Sequence, residues 1–267
     1  MMVLNDAVVR NVRNVLKVGT RIKLQGKGRR RTFMNLETNS RFKGLTKRLD
    51  KIINSDARMP VTRGAHVRRT RTELRRWKGK NAGRNRGIDI DKELTRVANS
   101  RVGKMLNPKN LHRLTRLALV ALERDGLRLV CGQHAVCDDA RRVATACDLV
   151  CIRTCDDDED CYELVLVEVK TGYDDKRMNH RFRQGGTVHM RGALSCVPDS
   201  WCHRHLCQLA CTWHMFVNNS EMMECLCNEI NVRDVSGMLL YLTEKDVEAI
   251  ALPEWWACKA GEIVSEL

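Results

Sequence analysis

The sequence contains little that would favour a membrane span, a secretory route or the stacking of nucleic-acid bases. No uncharged stretch approaches the roughly 20 apolar residues that a membrane-spanning helix requires. The start of the chain lacks the apolar core and the small-residue cleavage site of a secretory signal. Aromatic residues make up only 4% of the chain, so few rings are available for bases to stack on. We therefore expect an intracellular protein that has no membrane partner and that binds any nucleic acid without reading its sequence.

Cysteine is absent before Cys131, and all 13 cysteines lie between that residue and Cys258. An odd number of cysteines without a secretory signal predicts free thiols in a reducing compartment. Five potential zinc ligands crowd one segment, but the sequence contains no Cys-x-x-Cys pair, which strong zinc sites usually have. Buried thiols are therefore the favoured interpretation, and a zinc site stays open as the alternative. The crowded residues are Cys202, His203, His205, Cys207 and Cys211.

Acidic residues are scarce in the first third of the chain. Residues 1–86 contain 25 lysine and arginine residues against five aspartate and glutamate residues, a net charge of +20, whereas residues 87–267 carry a net −6. We expect residues 1–85 to form a basic, partly disordered extension and residues 86–267 to form the folded domain. Such an extension either is a solvated tail or binds the phosphate backbone of nucleic acid, and the two interpretations are compatible.

The densest clusters of arginine supply the candidate contacts to nucleic acid. The cluster at residues 27–31 also fits a nuclear import signal, so we expect the nucleus. Residues 1–17 can form a basic amphipathic helix, but the early Asp6 and the length of the basic region argue against a mitochondrial presequence. The candidate nucleic-acid-binding residues are Arg29, Arg30, Arg31, Arg68, Arg69, Arg75, Arg76 and Arg86.

Helices and strands are both predicted beyond the basic region. Apolar residues at helical spacing predict helices, and short continuous apolar runs predict strands. The two central runs are separated by an acidic stretch, which predicts a hairpin with a solvated tip. This mixture indicates an α/β domain in which helices flank a mixed sheet. The predicted helices cover residues 88–106, 108–123 and 201–217, and the predicted strands cover residues 127–131, 145–153, 162–170 and 237–243.

Three charged residues of this hairpin form the candidate catalytic group. Glu168 and Lys170 end the apolar run of the second strand, and side chains two residues apart share one face of a strand. Pairing of the two strands brings Asp148 alongside them. Two neighbouring carboxylates make a site for Mg²⁺ or Mn²⁺, and a lysine beside them can activate a water and stabilise charge on a phosphate. The alternative is an exposed edge hairpin whose charges are solvated.

Asp148 and the Glu168-Val169-Lys170 triplet together resemble the core motif of the PD-(D/E)xK nuclease superfamily. The segment from Arg86 to Asp91 is similar to the Arg-Gly-x-x-x-Glu motif of lambda-type exonucleases and viral alkaline nucleases. The helix that carries Gln208 resembles the helix that follows the catalytic strand in this group. Two positions depart from the family pattern, because Asp91 is a shorter ligand than usual and Thr212 stands where a tyrosine is usual.

The resemblance implies a restriction-endonuclease-like core and a divalent-metal-dependent DNA nuclease, an exonuclease, that acts in recombination, repair or processing of viral DNA. Lys170 would activate the attacking water, and Gln208 would contact the lysine region or the DNA backbone. Gln133, just after an earlier strand, resembles a recurring glutamine of the family. The implied ligands of Mg²⁺ or Mn²⁺ are Asp148, Glu168, the Val169 carbonyl and Asp91.

The resemblance also implies partners. DNA is the expected substrate, and a second copy of the chain and a single-strand-annealing or recombination protein are further partners that the family admits. Some relatives carry an iron–sulfur cluster, which adds a second alternative to free thiols. A rival interpretation stays open because Asp91 and Thr212 are irregular: a non-catalytic nucleic-acid-binding or packaging protein that retains a degenerate nuclease fold.

Overall fold

The computed structural model of the protein is a mixed α/β structure, in which eight described strands form one sheet with helices on both faces. The predicted α/β class is confirmed. None of the described helices is long and apolar enough to cross a membrane. The structure describes residues 5–25, 32–54, 82–100, 110–155, 158, 160–171, 183–243 and 246–267.

Strands and helices follow one another along the chain in short groups. The strands are β1 (Ile22–Gln25), β2 (Thr32–Asn35), β3 (Arg41–Gly44), β4 (Arg128–Asp138), β5 (Val143–Thr154), β6 (Tyr162–Thr171), β7 (Val232–Leu242) and β8 (Val247–Ala251). The helices are α1 (Asp6–Val18), α2 (Leu45–Ile52), α3 (Ala82–Ala98), α4 (Arg113–Arg124), α5 (Trp201–Val217), α6 (Ser220–Ile230) and α7 (Glu254–Ser265), with a short 3₁₀ turn at Gly192–Leu194.

The sheet gives β5 three partner strands. Neighbouring strands follow the order β1-β2-β3-β5-β6-β7-β8, and β4 pairs with the opposite edge of β5. The β3–β5 and β6–β7 pairs are parallel, and the other described pairs are antiparallel. The predicted hairpin is confirmed, because β5 and β6 pair from Leu149 and Val167 to Thr154 and Tyr162.

Alternating side chains of β6 divide the core into two layers. Leu164 and Leu166 pack with α1, α2, α5, α6 and α7 on one face of the sheet, whereas Val165 and Val167 pack with α3 and α4 on the other. All four side chains are buried. Burial on both faces explains why the strand reads as one continuous apolar run. It also fixes the register of the residues that follow, because a slip by one residue would exchange the two faces.

The basic first part of the chain belongs to the same fold where the structure describes it. β1, β2 and β3 continue the main sheet, and α1 and α2 pack into the larger core layer. Val9, Val12 and Leu16 of α1 are buried, and so is Phe42 of β3. The structure therefore differs from the expected boundary at residue 85. It places residues 5–25 and 32–54 within the folded body, because their apolar stripe supplies the burial that a solvated tail lacks.

Arg13 of α1 ties this first part to the helix that carries Asp91. Its Nε donates to Val130 O at 2.8 Å, and its Nη1 and Nη2 donate to Ser100 O at 2.9 Å and to Ala98 O at 2.8 Å. The carbonyl groups at the end of α3 lack intrahelical donors, so the guanidinium group satisfies them. Arg13 thereby holds the end of α3 against β4.

We predict that Arg13→Ala lowers the free energy of unfolding by about 3 kcal/mol, because three carbonyl groups lose a charged donor. Urea unfolding measures this loss. Arg10→Ala is the matched control on the same helix: Arg10 is exposed, and its loss should cost about 0.5 kcal/mol or less. Equal effects of the two substitutions would contradict the role given to Arg13.

One pair of cysteines differs from the expectation of free thiols. Cys155 and Cys161 form a disulfide across the turn between β5 and β6, where their Cα atoms lie 5.4 Å apart. A backbone hydrogen bond from Cys155 N to Cys161 O at 2.8 Å sets this proximity. The other eleven cysteines are free thiols in the structure. The prediction of free thiols is therefore wrong for this pair, because the hairpin itself aligns the two residues.

Candidate active site

The central strand β5 lacks a strand partner along part of one edge. β3 pairs with β5 at Val143 and Ala144, and β6 pairs with the same edge from Leu149 onward. Among the described strands, none covers residues 145–148 on that edge, while β4 covers the opposite edge. A fork therefore opens between the ends of β3 and β6, and Asp148 lies in it.

The fork brings Asp148 against the end of β6. The backbone N–H of Val169 donates to Asp148 Oδ2 at 2.9 Å, so a side chain replaces the strand ladder at this point. Continuing the register of Leu149 and Val167 by one pair sets Asp148 opposite Glu168. The hairpin thus brings together the two carboxylates that the sequence predicts as neighbours.

Gln133 of β4 connects Asp148 to Asp91 on α3. Its Nε2 donates to Asp91 Oδ1 at 2.8 Å and to Asp148 Oδ1 at 3.1 Å. Gln133 has a φ of +56°, a left-handed conformation that residues other than glycine adopt infrequently. Backbone strain of this kind persists where the surroundings hold a residue in place, and it is concentrated at functional sites. The resemblance pointed to Gln133, but no pattern in the sequence indicates these two contacts.

Gly132 allows α3 to approach the strand that carries Gln133. A Cβ atom at this position would lie 2.8 Å from Thr95 Cα, a distance that backbone atoms do not tolerate. The backbone N–H of Gly132 also donates to Oδ1 of Asn99 at 3.0 Å. Asn99 directly follows the last residue of α3. The close packing of α3 on β4 therefore depends on a residue without a side chain, and it brings Asp91 within reach of Gln133.

Glu168, Lys170 and Gln208 form a second hydrogen-bonded group beside Asp148. Lys170 Nζ donates to Glu168 Oε1 at 2.6 Å and lies 3.2 Å from Gln208 Oε1. Gln208 Nε2 donates to the same Glu168 oxygen at 2.7 Å. The Glu168 side chain is 5% exposed and that of Lys170 is 16% exposed, so water screens this ion pair weakly. Gln208 of α5 thus fixes both charged residues of β6.

A buried polar pair lies behind Lys170. Tyr241 of β7 is the register partner of Lys170, and its hydroxyl lies 2.9 Å from His205 Nδ1. His205 precedes Gln208 by three residues, so the two side chains share one face of α5. Burial, and then the charges of Lys170 and Arg204, hold the pKa of His205 well below its usual range. A neutral imidazole therefore backs the site, and sequence reasoning missed this pair.

Asp91, Asp148 and Glu168 line a cavity of about 250 Å³ between α3, the middle of β5 and the end of β6. Burial raises the pKa of Asp148 well above its usual range, and the charges of Glu168 and Asp91 add to this rise. The charge of Lys170 and the Val169 N–H act in the opposite direction. The site thus concentrates negative charge, which a bound cation would stabilise.

The donor atoms fit a hard divalent cation in part. Asp148 and Glu168 supply carboxylate oxygens, the ligands that Mg²⁺ and Mn²⁺ prefer. Glu168 Oε2 is buried, and it has no hydrogen-bond partner among the described residues. Among all the residues that the structure describes, no group of three or more His, Cys, Asp or Glu side chains is arranged to hold a metal ion. Asp148 and Glu168 are neighbouring carboxylates that could hold such an ion, and Asp91, the third predicted carboxylate ligand, lines the same cavity.

The predicted site residues fall into three groups. Asp91, Asp148, Glu168 and Lys170 line one cavity. Gln208 binds Glu168 and Lys170, and Gln133 links Asp91 to Asp148. Val169 contributes its N–H to Asp148, a contact that the sequence did not predict. Arg86 is only 4% exposed, so its burial in α3 leaves little surface for the expected contact with nucleic acid. The remaining predicted arginines lie outside the described residues: Arg29, Arg30, Arg31, Arg68, Arg69, Arg75 and Arg76.

Comparison with known proteins returns no relative. No protein-family model matches the chain, and neither a curated protein nor a solved structure matches it. Any proposal for the function therefore depends on the geometry of the fork.

We predict that Asp148→Asn reduces the loss of stability that the metal-free protein shows as the pH rises from about 4 to 7, so that its Tm falls by about 2–4 °C less over this range. The pKa of Asp148 is raised in the folded state, so the folded protein loses stability as the pH rises through the unfolded-state value towards the folded-state value. The substitution removes that loss. Thermal unfolding in EDTA should show this difference between about pH 4 and pH 7 and none below about pH 4, where the carboxyl group is protonated in both states. An equal fall in Tm between pH 4 and pH 7 for the two proteins would refute this account.

We also predict that Gly132→Ala costs about 1–3 kcal/mol of unfolding free energy, because its Cβ would force α3 away from β4. Gly186→Ala is the control, since a Cβ there meets nothing within 4 Å. Urea unfolding of both variants provides the test. Similar stability of the two variants would mean that α3 does not need this close approach.

Proposed function

We propose that the protein is a divalent-metal-dependent DNA nuclease of the PD-(D/E)xK type, with a restriction-endonuclease-like core and exonuclease activity. The observation that carries this proposal is the convergence of Asp148, Glu168 and Lys170 at the fork, with Gln208 bound to the last two. Residues at these sequence positions resemble the family motif, and the structure brings their side chains into one hydrogen-bonded group.

Each residue has a role in this proposal. Asp148 and Glu168 would hold Mg²⁺ or Mn²⁺ with the Val169 carbonyl, and Asp91 would act through Gln133 to orient Asp148. The ion would stabilise negative charge on the phosphate during attack. Lys170, fixed by Glu168 and Gln208, would orient the attacking water and neutralise a phosphate oxygen. Water attacks the phosphorus, the bond to the 3′ oxygen breaks, and a 5′-phosphate and a 3′-hydroxyl result.

A rival function is favoured by the internal pairing of the same groups. The Gln133 amide occupies an oxygen of Asp91 and one of Asp148, and Lys170 binds Glu168. Side chains that satisfy one another in this way suit a non-catalytic DNA-binding or packaging protein that keeps a degenerate nuclease fold. Glu168 Oε2 favours the nuclease, because it is buried and accepts no hydrogen bond from the described residues. A buried carboxylate oxygen without a donor destabilises the fold unless a cation or water reaches it.

The proposed setting is the recombination, repair or processing of DNA in the nucleus. A second copy of the chain and a single-strand-annealing or recombination protein are the partners that such an activity would use. DNA is the substrate in this proposal, and its phosphate backbone is the feature recognised.

We predict that Lys170→Ala lowers Mg²⁺-dependent cleavage of DNA by about 100-fold or more, because the attacking water loses its charged partner. Radiolabelled linear and circular DNA report the rate and distinguish an exonuclease, which leaves circles intact, from an endonuclease. Lys17→Ala removes an exposed lysine of α1 and serves as the control for net charge.

Two outcomes would overturn the assignment. Normal cleavage by Lys170→Ala would exclude this lysine from the chemistry. Binding of DNA by the unsubstituted protein without cleavage in Mg²⁺ or Mn²⁺ would favour the non-catalytic rival.

A further inference from the structure

Four basic side chains lie exposed around the outer face of the first three strands. Side chains alternate along a strand, so Lys23 of β1 and Arg41 and Lys43 of β3 point away from the core. The opposite face buries Ile22 and Phe42. Arg142, in the turn before β5, is also exposed, and its guanidinium lies 3.3 Å from Arg41 O. We call Lys23, Arg41, Lys43 and Arg142 the strand patch.

The strand register fixes the spacing of these charges. Lys23 pairs with Met34, and Met34 pairs with Arg41, so Lys23 and Arg41 lie in one row across three strands. Strands are about 4.8 Å apart, which sets their Cα atoms about 10 Å from each other, and Lys43 lies about 7 Å from Arg41 along β3. A rigid sheet thus presents a row of cations at a spacing of several ångströms.

The strand patch has no acidic partners in the described part of the chain. None of its four side chains takes part in an ion pair there, and the outward positions of β1, β2 and β3 contain no aspartate or glutamate. Nearby Glu37 and Asp139 act electrostatically on Arg21, which itself pairs with Glu221. Unpaired lysine and arginine side chains on one rigid face attract a polyanion.

The strand patch and the candidate active site adjoin the same edge of β5. β3 pairs with β5 at Ala144, and Asp148 lies four residues further along β5, about 13 Å away. β3 and β6 pair with the same edge of β5, on either side of the unpaired residues 145–148. A polymer bound along β3 would therefore lie beside the edge of β5 that contains the fork.

We infer that the strand patch is the surface on which the phosphate backbone of DNA lies as it enters the fork. This inference rests on the proposed nuclease function and adds to it the surface that binds the substrate. A negatively charged membrane is the competing polyanion, but a membrane surface would also call for apolar side chains, and the row of the strand patch offers only the half-buried Met34. The DNA is held through its phosphates, so the affinity should depend steeply on salt and weakly on DNA sequence.

The test is the combined substitution of Lys23→Ala, Arg41→Ala and Lys43→Ala. Fluorescence anisotropy with a labelled 30-base-pair DNA in EDTA, where no cleavage occurs, measures Kd at several salt concentrations. We expect Kd to rise about 10-fold to 100-fold. The slope of log Kd against log salt should fall by about three, because each of the three removed cations neutralises one phosphate.

The matched control removes the same charge elsewhere. Arg113→Ala, Arg116→Ala and Arg124→Ala lie on α4, which packs against β7 and β8 at the other end of the strand order. These three arginines are exposed, so neither triple variant should disturb the core, and thermal unfolding checks this. Replacement of Lys23 and Lys43 by arginine, with Arg41 intact, should retain both Kd and salt slope.

The outcomes separate this surface from the proposed chemistry. Equal Kd and salt slope for the two triple variants would overturn the inference, as would binding of the unsubstituted protein to phosphatidylserine vesicles but not to DNA. Loss of binding in the strand-patch variant, together with normal cleavage by Lys170→Ala, would keep the surface and refute the catalytic assignment. Full binding by the strand-patch variant, together with cleavage that depends on Lys170, would refute the surface and keep the catalytic assignment.

Discussion

The structure depends on how the protein places two carboxylates at the unpaired stretch of β5. Asp148 and Glu168 face each other at a point where the strand ladder is interrupted, and both are largely removed from water. Charges buried so closely together are destabilising unless other groups compensate. Lys170 supplies a positive charge, and the N–H groups of Val169 and Gln133 supply donors. The core of the sheet is then what keeps these groups at fixed distances, because β6 is packed on both faces.

The elements that support this arrangement come from distant parts of the sequence. α3 carries Asp91, and its position depends on Arg13 of α1 at one end and on Gly132 of β4 along its side. The far side of the site depends on α5, where Gln208 binds Glu168 and Lys170. Removing the first part of the chain would therefore affect the site as well as the charge of the protein, since α1 anchors α3.

The sequence predicts the hairpin and its charged residues well, because a strand buried on both faces leaves an unmistakable apolar run before Glu168. It predicts less of the first 54 residues. β1, β2 and β3 are only four residues long, and β1 and β3 alternate apolar with charged or polar side chains, so their burial is not evident from the sequence. The role of Gln133 follows from a left-handed backbone and a contact 42 residues away, which no local pattern encodes. The burial of Arg86 likewise depends on tertiary packing.

The separation of charge in the sequence has a different meaning once the fold is known. Among the described residues of the first part, some positive side chains hold the fold, such as Arg13, and others lie on the outer face of β1 and β3, such as Arg41. The negative charge of the body includes Asp148 and Glu168, which are withdrawn into a cavity. Because charges of a rigid sheet cannot rearrange, a polyanion that approaches β3 meets the exposed cations before the buried carboxylates. The exposed cations can thus attract a negatively charged polymer towards the site, although the site itself is acidic.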